Sequence, residues 1–155
     1  MSNKTGNTAM QVLLTGATGF LGRRVLRELV DEGCAVGCAV RPGSDVRSLR
    51  EFVGSRRWNC TETVNGQLSS TEHCRELVRG CEVVYHAAAA LSGSASNLVM
   101  SSVVPTRNLM NAASEESVNR FVLVSSLGVY GSQALGRNET LDEECPVDPA
   151  GHLRD

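Results

Sequence analysis

Short solid apolar runs alternate along the chain with stretches of helical period. Residues 11–15 (QVLLT) are the first run and predict a strand. From Phe20 the spacing turns helical: Leu21, Val25 and Leu29 recur at i, i+4 and i+8, with Leu26 and Val30 beside them. Arg23, Arg24, Arg27, Glu28, Asp31 and Glu32 fill the opposite face, and Gly33 is a natural stop. Residues 35–40 form a second run, broken by Pro42 and Gly43. Ser44 can cap a short helix from Asp45 to about Val53, which Gly54 ends. Trp58 to Val64 reads as a weak strand with polar alternation, and 65–68 as a turn. Ser69 with Glu72 has the spacing of a capping box for a helix ending at Gly80. Residues 82–86 are a fourth strand leading into four alanines at 87–90, and 91–96 read as flexible. A helix lies within 97–116. Pro105 demands a first-turn position or a kink, so a break is expected near 102–105 with clean helix from there to Ala113. Residues 120–125 (RFVLVS) are a fifth strand.

Five strands thus alternate with four helices. The strands are short and apolar throughout, as burial on both faces requires, so the sheet is expected to be parallel. Right-handed crossovers then make it a doubly wound α/β sheet. Residues 1–9 read as a polar, disordered tail, 10–131 as one Rossmann domain, and 132–155 as a loop segment leading into a further C-terminal part that is missing here.

Composition narrows this further. At 155 residues, 41% apolar and 21% charged, the chain is one ordinary globular domain. A net charge of −2 argues against a nucleic-acid surface. No apolar run approaches the roughly 20 residues of a membrane helix, and the polar start lacks the apolar core of a secretory leader. The six cysteines sit in neither CxxC nor zinc-finger spacing, so they read as reduced, cytoplasmic, core-filling thiols and no metal site is expected. Of the 15 basic residues only Lys4 is a lysine, which nearly excludes chemistry on a buried, tuned amine.

The candidate chemistry begins at residues 15–22, TGATGFLG. Gly16, Gly19 and Gly22 follow a strand and open an amphipathic helix, the context in which such a triplet holds a dinucleotide. Gly16 permits the tight turn, Gly19 lets the backbone approach a diphosphate, and Gly22 allows close helix–strand packing. Unpaired amides and the helix dipole then face the anion. At the end of the second strand, where a carboxylate would bind the ribose hydroxyls of NAD, no acid lies between Gly33 and Ser44. Arg41 stands there with Arg47 nearby. A guanidinium suits the 2′-phosphate, so NADP is favoured over NAD. Ser125 and Ser126 end the fifth strand, where two hydroxyls could meet a substrate oxygen. His86 reads as a structural residue, His73 as a surface one, and the acidic run Asp142, Glu143, Glu144 and Asp148 as a solvated loop.

Taken together, TGATGFLG, CAVR at 38–41, GCEVVYHAAA at 80–89, TRNLMNAA at 106–113 and RFVLVSSLGVYG at 120–131 resemble the extended short-chain dehydrogenases/reductases, the NAD(P)-dependent epimerase/dehydratase group. The resemblance covers about residues 11–149. It implies strand order 3-2-1-4-5 and coenzyme contacts at Gly16, Gly19, Phe20, Leu21, Gly22, Arg41, Gln67, Leu68, Ala87, Ala88, Ala89 and Ser125. It also implies Ser126 as the catalytic hydroxyl, with Ser125 beside it. Gln67 stands where the family usually has an acid contacting adenine, Ser102 where it has an asparagine, and Pro105 where it has a glycine. The family's catalytic Tyr-x-x-x-Lys is missing from these residues, since Tyr85 and Tyr130 are followed four places on by Ala89 and Ala134. The implied activity is hydride transfer on a hydroxyl or carbonyl substrate such as a nucleotide sugar, in a possible homodimer, with this chain expected to bind coenzyme and lack turnover. A non-catalytic dinucleotide sensor is the alternative.

Overall fold

Strand periodicity sorts the buried side chains onto two faces of one sheet in the computed structural model, which describes residues 10–90, 92–130 and 140–147. The strands are β1 (Val12–Thr15), β2 (Val36–Val40), β3 (Thr61–Asn65), β4 (Val83–His86) and β5 (Arg120–Leu123). They pair entirely in parallel, in the order β3-β2-β1-β4-β5. This is the doubly wound α/β arrangement expected from the alternating pattern.

Side chains two apart share a face. Val12 and Leu14 of β1 join Val36 and Cys38 of β2 beneath α1 (Phe20–Asp31) and α2 (Val46–Val53), through Leu26, Val30, Leu49 and Val53. Leu13 and Val84 turn the other way, onto α3 (Thr71–Val78) and α5 (Val104–Glu115), through Cys74, Leu77, Val78, Leu109 and Ala112. Each fully buried aliphatic chain contributes about 1.5–3 kcal/mol, which is what holds both helix layers on the sheet. Burial also raises the thiols of Cys38 (to about 12), Cys74 and Cys81 (each to about 11), so these behave as protonated core groups.

Local details depart from the sequence expectation where a neighbour overrides local chemistry. The buried stripe of α1 is Gly22–Leu26–Val30, and Leu21 is exposed. The rotation follows from Gly22, which must face the turn below it. Asp45, not Ser44, caps α2, its carboxylate accepting the Ser48 amide at 2.9 Å. Ser70, not Ser69, caps α3. Trp58 belongs to a 3₁₀ turn (Arg57–Cys60) that packs beside α1, so β3 starts only at Thr61.

The expected kink near Pro105 takes a specific form. A short helix α4 (Ala95–Leu98) runs into a π-helical turn (Val99–Val103) and then into α5, with Pro105 at the start of α5, where the widened π turn before it accommodates the amide the proline lacks. α5 continues past Ala113 to Glu115 because Ser117 adopts the left-handed conformation, φ 56°, that a glycine usually provides at a helix stop. The described residues part into two compact units between Leu123 and Val124. The second holds a 3₁₀ turn (Leu127–Val129) and an antiparallel bridge between Tyr130 and Val147. Among the described residues no helix is long and apolar enough to cross a membrane.

Ser117 is the one non-glycine residue with positive φ among those described. Ser117→Gly is expected to raise stability by about 0.5–1 kcal/mol, relief of left-handed strain outweighing the added chain entropy. A thermal melt should register this as a gain of a few °C, roughly 2–4 °C per kcal/mol. An unchanged or lower midpoint contradicts it.

Candidate functional site

The site begins where β1 ends. Gly16 turns the chain with φ +72°, and a Cβ there would lie 2.7 Å from the backbone of Ala87 and Ala88. Gly22 is still more confined: a Cβ would stand 2.1 Å from the Gly16 carbonyl oxygen. That same oxygen accepts the Gly19 amide at 2.9 Å. No side chain fits at residue 16 or 22, so the start of α1 lies directly against the turn. The amides of Phe20, Leu21 and Gly22 precede the first intrahelical bond, from Arg23 N–H to the Gly19 carbonyl at 3.2 Å. They are donors at the positive end of the helix dipole. The Arg23 side chain bends back, Nε donating to the Gly19 carbonyl and Nη2 to the Thr18 carbonyl, each at 3.2 Å. It ties down the loop's acceptors and brings a positive charge to the turn. Arg24 stacks 3.9 Å over the exposed Phe20 ring.

The second wall follows β4. Thr15 and His86 are register partners on adjacent strands, and both residues are 1% exposed. Thr15 Oγ1 lies 2.7 Å from His86 Nδ1 and accepts the Ala88 amide at 3.2 Å. His86 Nε2 lies 2.9 Å from Thr106 Oγ1 on α5. Burial pushes this imidazole below its ordinary value, keeping it neutral. Two residues on, the Ala90 amide donates to Ser102 Oγ at 2.9 Å, from within the π turn. Ser102 therefore holds the alanine segment to the helix below it.

The third wall is the β2–β3 edge. Arg41, just past β2, is exposed and forms no side-chain hydrogen bond or ion pair among the described residues, whereas Arg47 pairs with Glu51 at 3.1 Å. Gly66 packs its Cα against β2 so closely that a Cβ would sit 2.8 Å from Ala39 and Val40 backbone atoms. The loop after it is fixed from below. Buried Asn108 on α5 donates through Nδ2 to the Leu68 and Ser69 carbonyls, both at 3.0 Å, and accepts from Thr71 Oγ1 at 3.5 Å. His73, partly exposed on α3, donates through Nε2 to the Asn65 carbonyl at 2.8 Å.

These walls enclose a cleft of about 560 Å³ at the carboxyl ends of the strands. Gly16, Gly19, Arg41, Gln67, Leu68, Ala87, Ala88 and Ala89 all line it. Arg41 is the lining residue with a formal charge. Phe20, Leu21 and Gly22 do not line the cleft with side chains; they occupy the adjoining first turn of α1. Ser125 and Ser126 lie in the second unit, where Ser126 Oγ accepts the Gly128 amide at 3.1 Å and caps the 3₁₀ turn. His86 was read as structural, but its partners Thr15 and Thr106, the bond of Ser102 to Ala90, and the roles of Gly66 and Asn108 were not legible in the sequence. Asn108 did carry a signal: it is a polar residue at a core position of the apolar stripe formed with Leu109 and Ala112.

The chain matches a family described as NAD(P)H-binding over residues 16–145. It is 32% identical over 141 residues to cinnamoyl-CoA reductase 1 of Petunia hybrida, covering 89% of this chain and 42% of that protein. It is 34% identical over 143 residues to sterol demethylase protein B of Methylococcus capsulatus, covering 90% and 42%. The solved structure of MoeE5 in complex with UDP-glucose and NAD superposes with a TM-score of 0.68 at 27% identity, over 90% of this chain and 42% of that one. The chain therefore spans about two fifths of the length of the curated relatives it matches.

Asn108→Asp is expected to destabilise the fold by about 1–3 kcal/mol at neutral pH, because a buried carboxylate would face two carbonyl oxygens. The aspartate is then driven to stay protonated, so its folded-state value rises and the deficit shrinks as pH falls toward the ordinary carboxylate range. Thermal melts of wild type and variant between pH 7 and pH 4 check this. A deficit that grows on acidification, relative to wild type, contradicts it.

Proposed function

The chain belongs to the NAD(P)H-binding family, within the extended short-chain dehydrogenases/reductases, and from that premise we propose that it is the coenzyme-binding portion of a reductase or epimerase that uses NADP on a hydroxyl or carbonyl substrate. The observation that carries this reading is the turn at Gly16, where a Cβ would strike the facing backbone and where the first-turn amides of α1 are left as donors. Such a cradle fits a diphosphate and leaves no room for a side chain. When bound, the nicotinamide coenzyme supplies the hydride chemistry that no side chain here can supply.

The chain's own residues divide the remaining work. The amides of Phe20, Leu21 and Gly22, with the dipole of α1, hold the diphosphate, and Gly19 permits its approach. Arg41 is a free guanidinium on the cleft wall with no carboxylate beside it in the run 34–43, which supports a 2′-phosphate contact and hence NADP. Gln67 and Leu68 form the adenine side, and Ala87, Ala88 and Ala89 the wall toward the nicotinamide. Ser126, with Ser125, is the hydroxyl that would hydrogen-bond the reacting oxygen of the substrate. None of these can act as the tyrosine–lysine proton donor, which is missing from these residues. The reductase names of the curated relatives support a carbonyl substrate, and the UDP-glucose of the MoeE5 complex supports a nucleotide sugar.

Calorimetric titration of the 155-residue chain tests the coenzyme assignment. NADPH is expected to bind roughly tenfold more tightly than NADH, the margin of a charge-assisted contact, and Arg41→Ala should remove most of that preference. Equal affinities in the wild type overturn the role of Arg41. The same chain with NADPH and simple carbonyl acceptors should oxidise the coenzyme no faster than buffer. Steady oxidation would show that an unrecognised proton donor lies within these residues.

A further inference from the structure

His86 sits in a chain of hydrogen bonds that crosses three elements. Thr15 Oγ1 already accepts the Ala88 amide at 3.2 Å, and the acceptor in reach of its own hydrogen is His86 Nδ1 at 2.7 Å. The imidazole hydrogen then lies on Nε2 and is donated to Thr106 Oγ1 at 2.9 Å. One end of this chain is a backbone amide on the cleft wall, and the other is the first turn of α5.

We propose that His86 is a positioning residue for the coenzyme cleft: as a neutral, Nε2-protonated imidazole it links Thr106 on α5 to Thr15, and through Thr15 holds the Ala88 amide and the backbone wall that Gly16 packs against. This rests on the dinucleotide reading given above. The wall cannot be held by Gly16 itself, since contact between Gly16 and Ala87–Ala88 is steric and limits approach without preventing retreat. Two hydrogen bonds to Thr15 supply the attraction, from the Ala87 amide to the backbone carbonyl at 3.3 Å and from the Ala88 amide to Oγ1 at 3.2 Å, and the second is directional only while Nδ1 takes the hydroxyl hydrogen. Protonation makes both imidazole nitrogens donors. Thr15 Oγ1 then faces two donors, and its own hydrogen loses its acceptor in a buried position.

The groups around the ring do not favour that charge. β1 presents Thr15, β5 presents Phe121 with its ring centroid 6.1 Å away, and α5 presents Thr106. Of the charged residues on these elements, Arg107 and Arg120 are exposed and Glu115 is bonded to Arg75 at the far end of α5. On β4 the neighbour Tyr85 packs on the opposite face of the sheet. Burial alone lowers the imidazole from its ordinary value, and no carboxylate offsets this. Binding that requires the neutral form therefore weakens as the solution is acidified.

The test is a titration of the 155-residue chain with NAD, which carries no phosphomonoester to titrate in this range, between about pH 8 and about pH 5. Wild type is compared with His86→Gln, Thr106→Val and Thr106→Ser, each checked for folding by circular dichroism. At neutral pH His86→Gln is expected to bind NAD roughly fivefold or more weakly than wild type, and any loss of wild-type affinity on acidification should vanish in His86→Gln. Thr106→Val should weaken binding at neutral pH and Thr106→Ser should restore it. A His86→Gln or Thr106→Val variant that folds and binds NAD as tightly as wild type at neutral pH, or a pH dependence shared by His86→Gln, overturns the proposal while leaving the dinucleotide reading intact. Failure of NAD and NADPH alike to bind a folded chain at any pH overturns both. Should His86→Gln not fold, long-range ¹⁵N–¹H spectra of the wild type decide. A neutral Nε2–H tautomer whose shifts respond to NAD supports the positioning role, and an Nδ1–H tautomer or unresponsive shifts refute it.

Discussion

The carbonyl group of Gly16 is the point of close backbone approach around which the cleft is arranged. Three backbones converge there: the exit of β1, the first turn of α1 and the segment that leaves β4. A Cβ at residue 16 would strike Ala87 and Ala88, and one at residue 22 would strike the Gly16 oxygen itself. Because neither exists, α1 settles low over the sheet. Its rotation about its own axis is then decided by Gly22, which is why Leu26 and Val30, four and eight residues on, form the buried stripe. The same contact leaves the amides at the start of α1 at the carboxyl edge of the sheet, where an anion can reach them.

The two faces of the sheet are built differently. The α1–α2 face is an uninterrupted apolar cluster. The α3–α5 face is apolar at its lower end but carries Thr15, His86, Thr106 and Asn108 toward the carboxyl edge, three of them buried. Each is hydrogen-bonded, as burial demands. Their partners include backbone groups of the cleft walls: the Ala88 amide for Thr15, and the Leu68 and Ser69 carbonyls for Asn108. The polar part of the core is thus the floor of the cleft, and α5 supports two of its walls. The π turn before α5 belongs to the same design, since it lets Ser102 reach Ala90 while Pro105 sits in a helical first turn.

Much of this was legible from local pattern. The period change at Phe20 located α1, the solid runs located four of the five strands closely, and the glycines with Arg41 marked two cleft walls. The less legible parts share a cause. Trp58 looks like a strand residue, yet its ring packs on the α1 side of the sheet and its backbone is drawn into a 3₁₀ turn. Ser69 and Ser70 are both competent caps, and choosing between them requires knowing that Asn108 holds the Ser69 carbonyl. Ser117 carries no mark of a helix stop, because the left-handed turn there is imposed by the return of the chain to β5.

By itself, then, the order of residues determined the alternation of strand and helix, the parallel sheet and the glycine turn, since each of these depends on sterics and burial within a few neighbouring positions. Tertiary structure alone decided that Thr15 would meet His86 across 71 residues, and that Asn108 would hold Leu68 across 40. Those pairings depend on strand register and on where a helix lands on the sheet, and such quantities are set by the packing of the whole molecule rather than by any one segment.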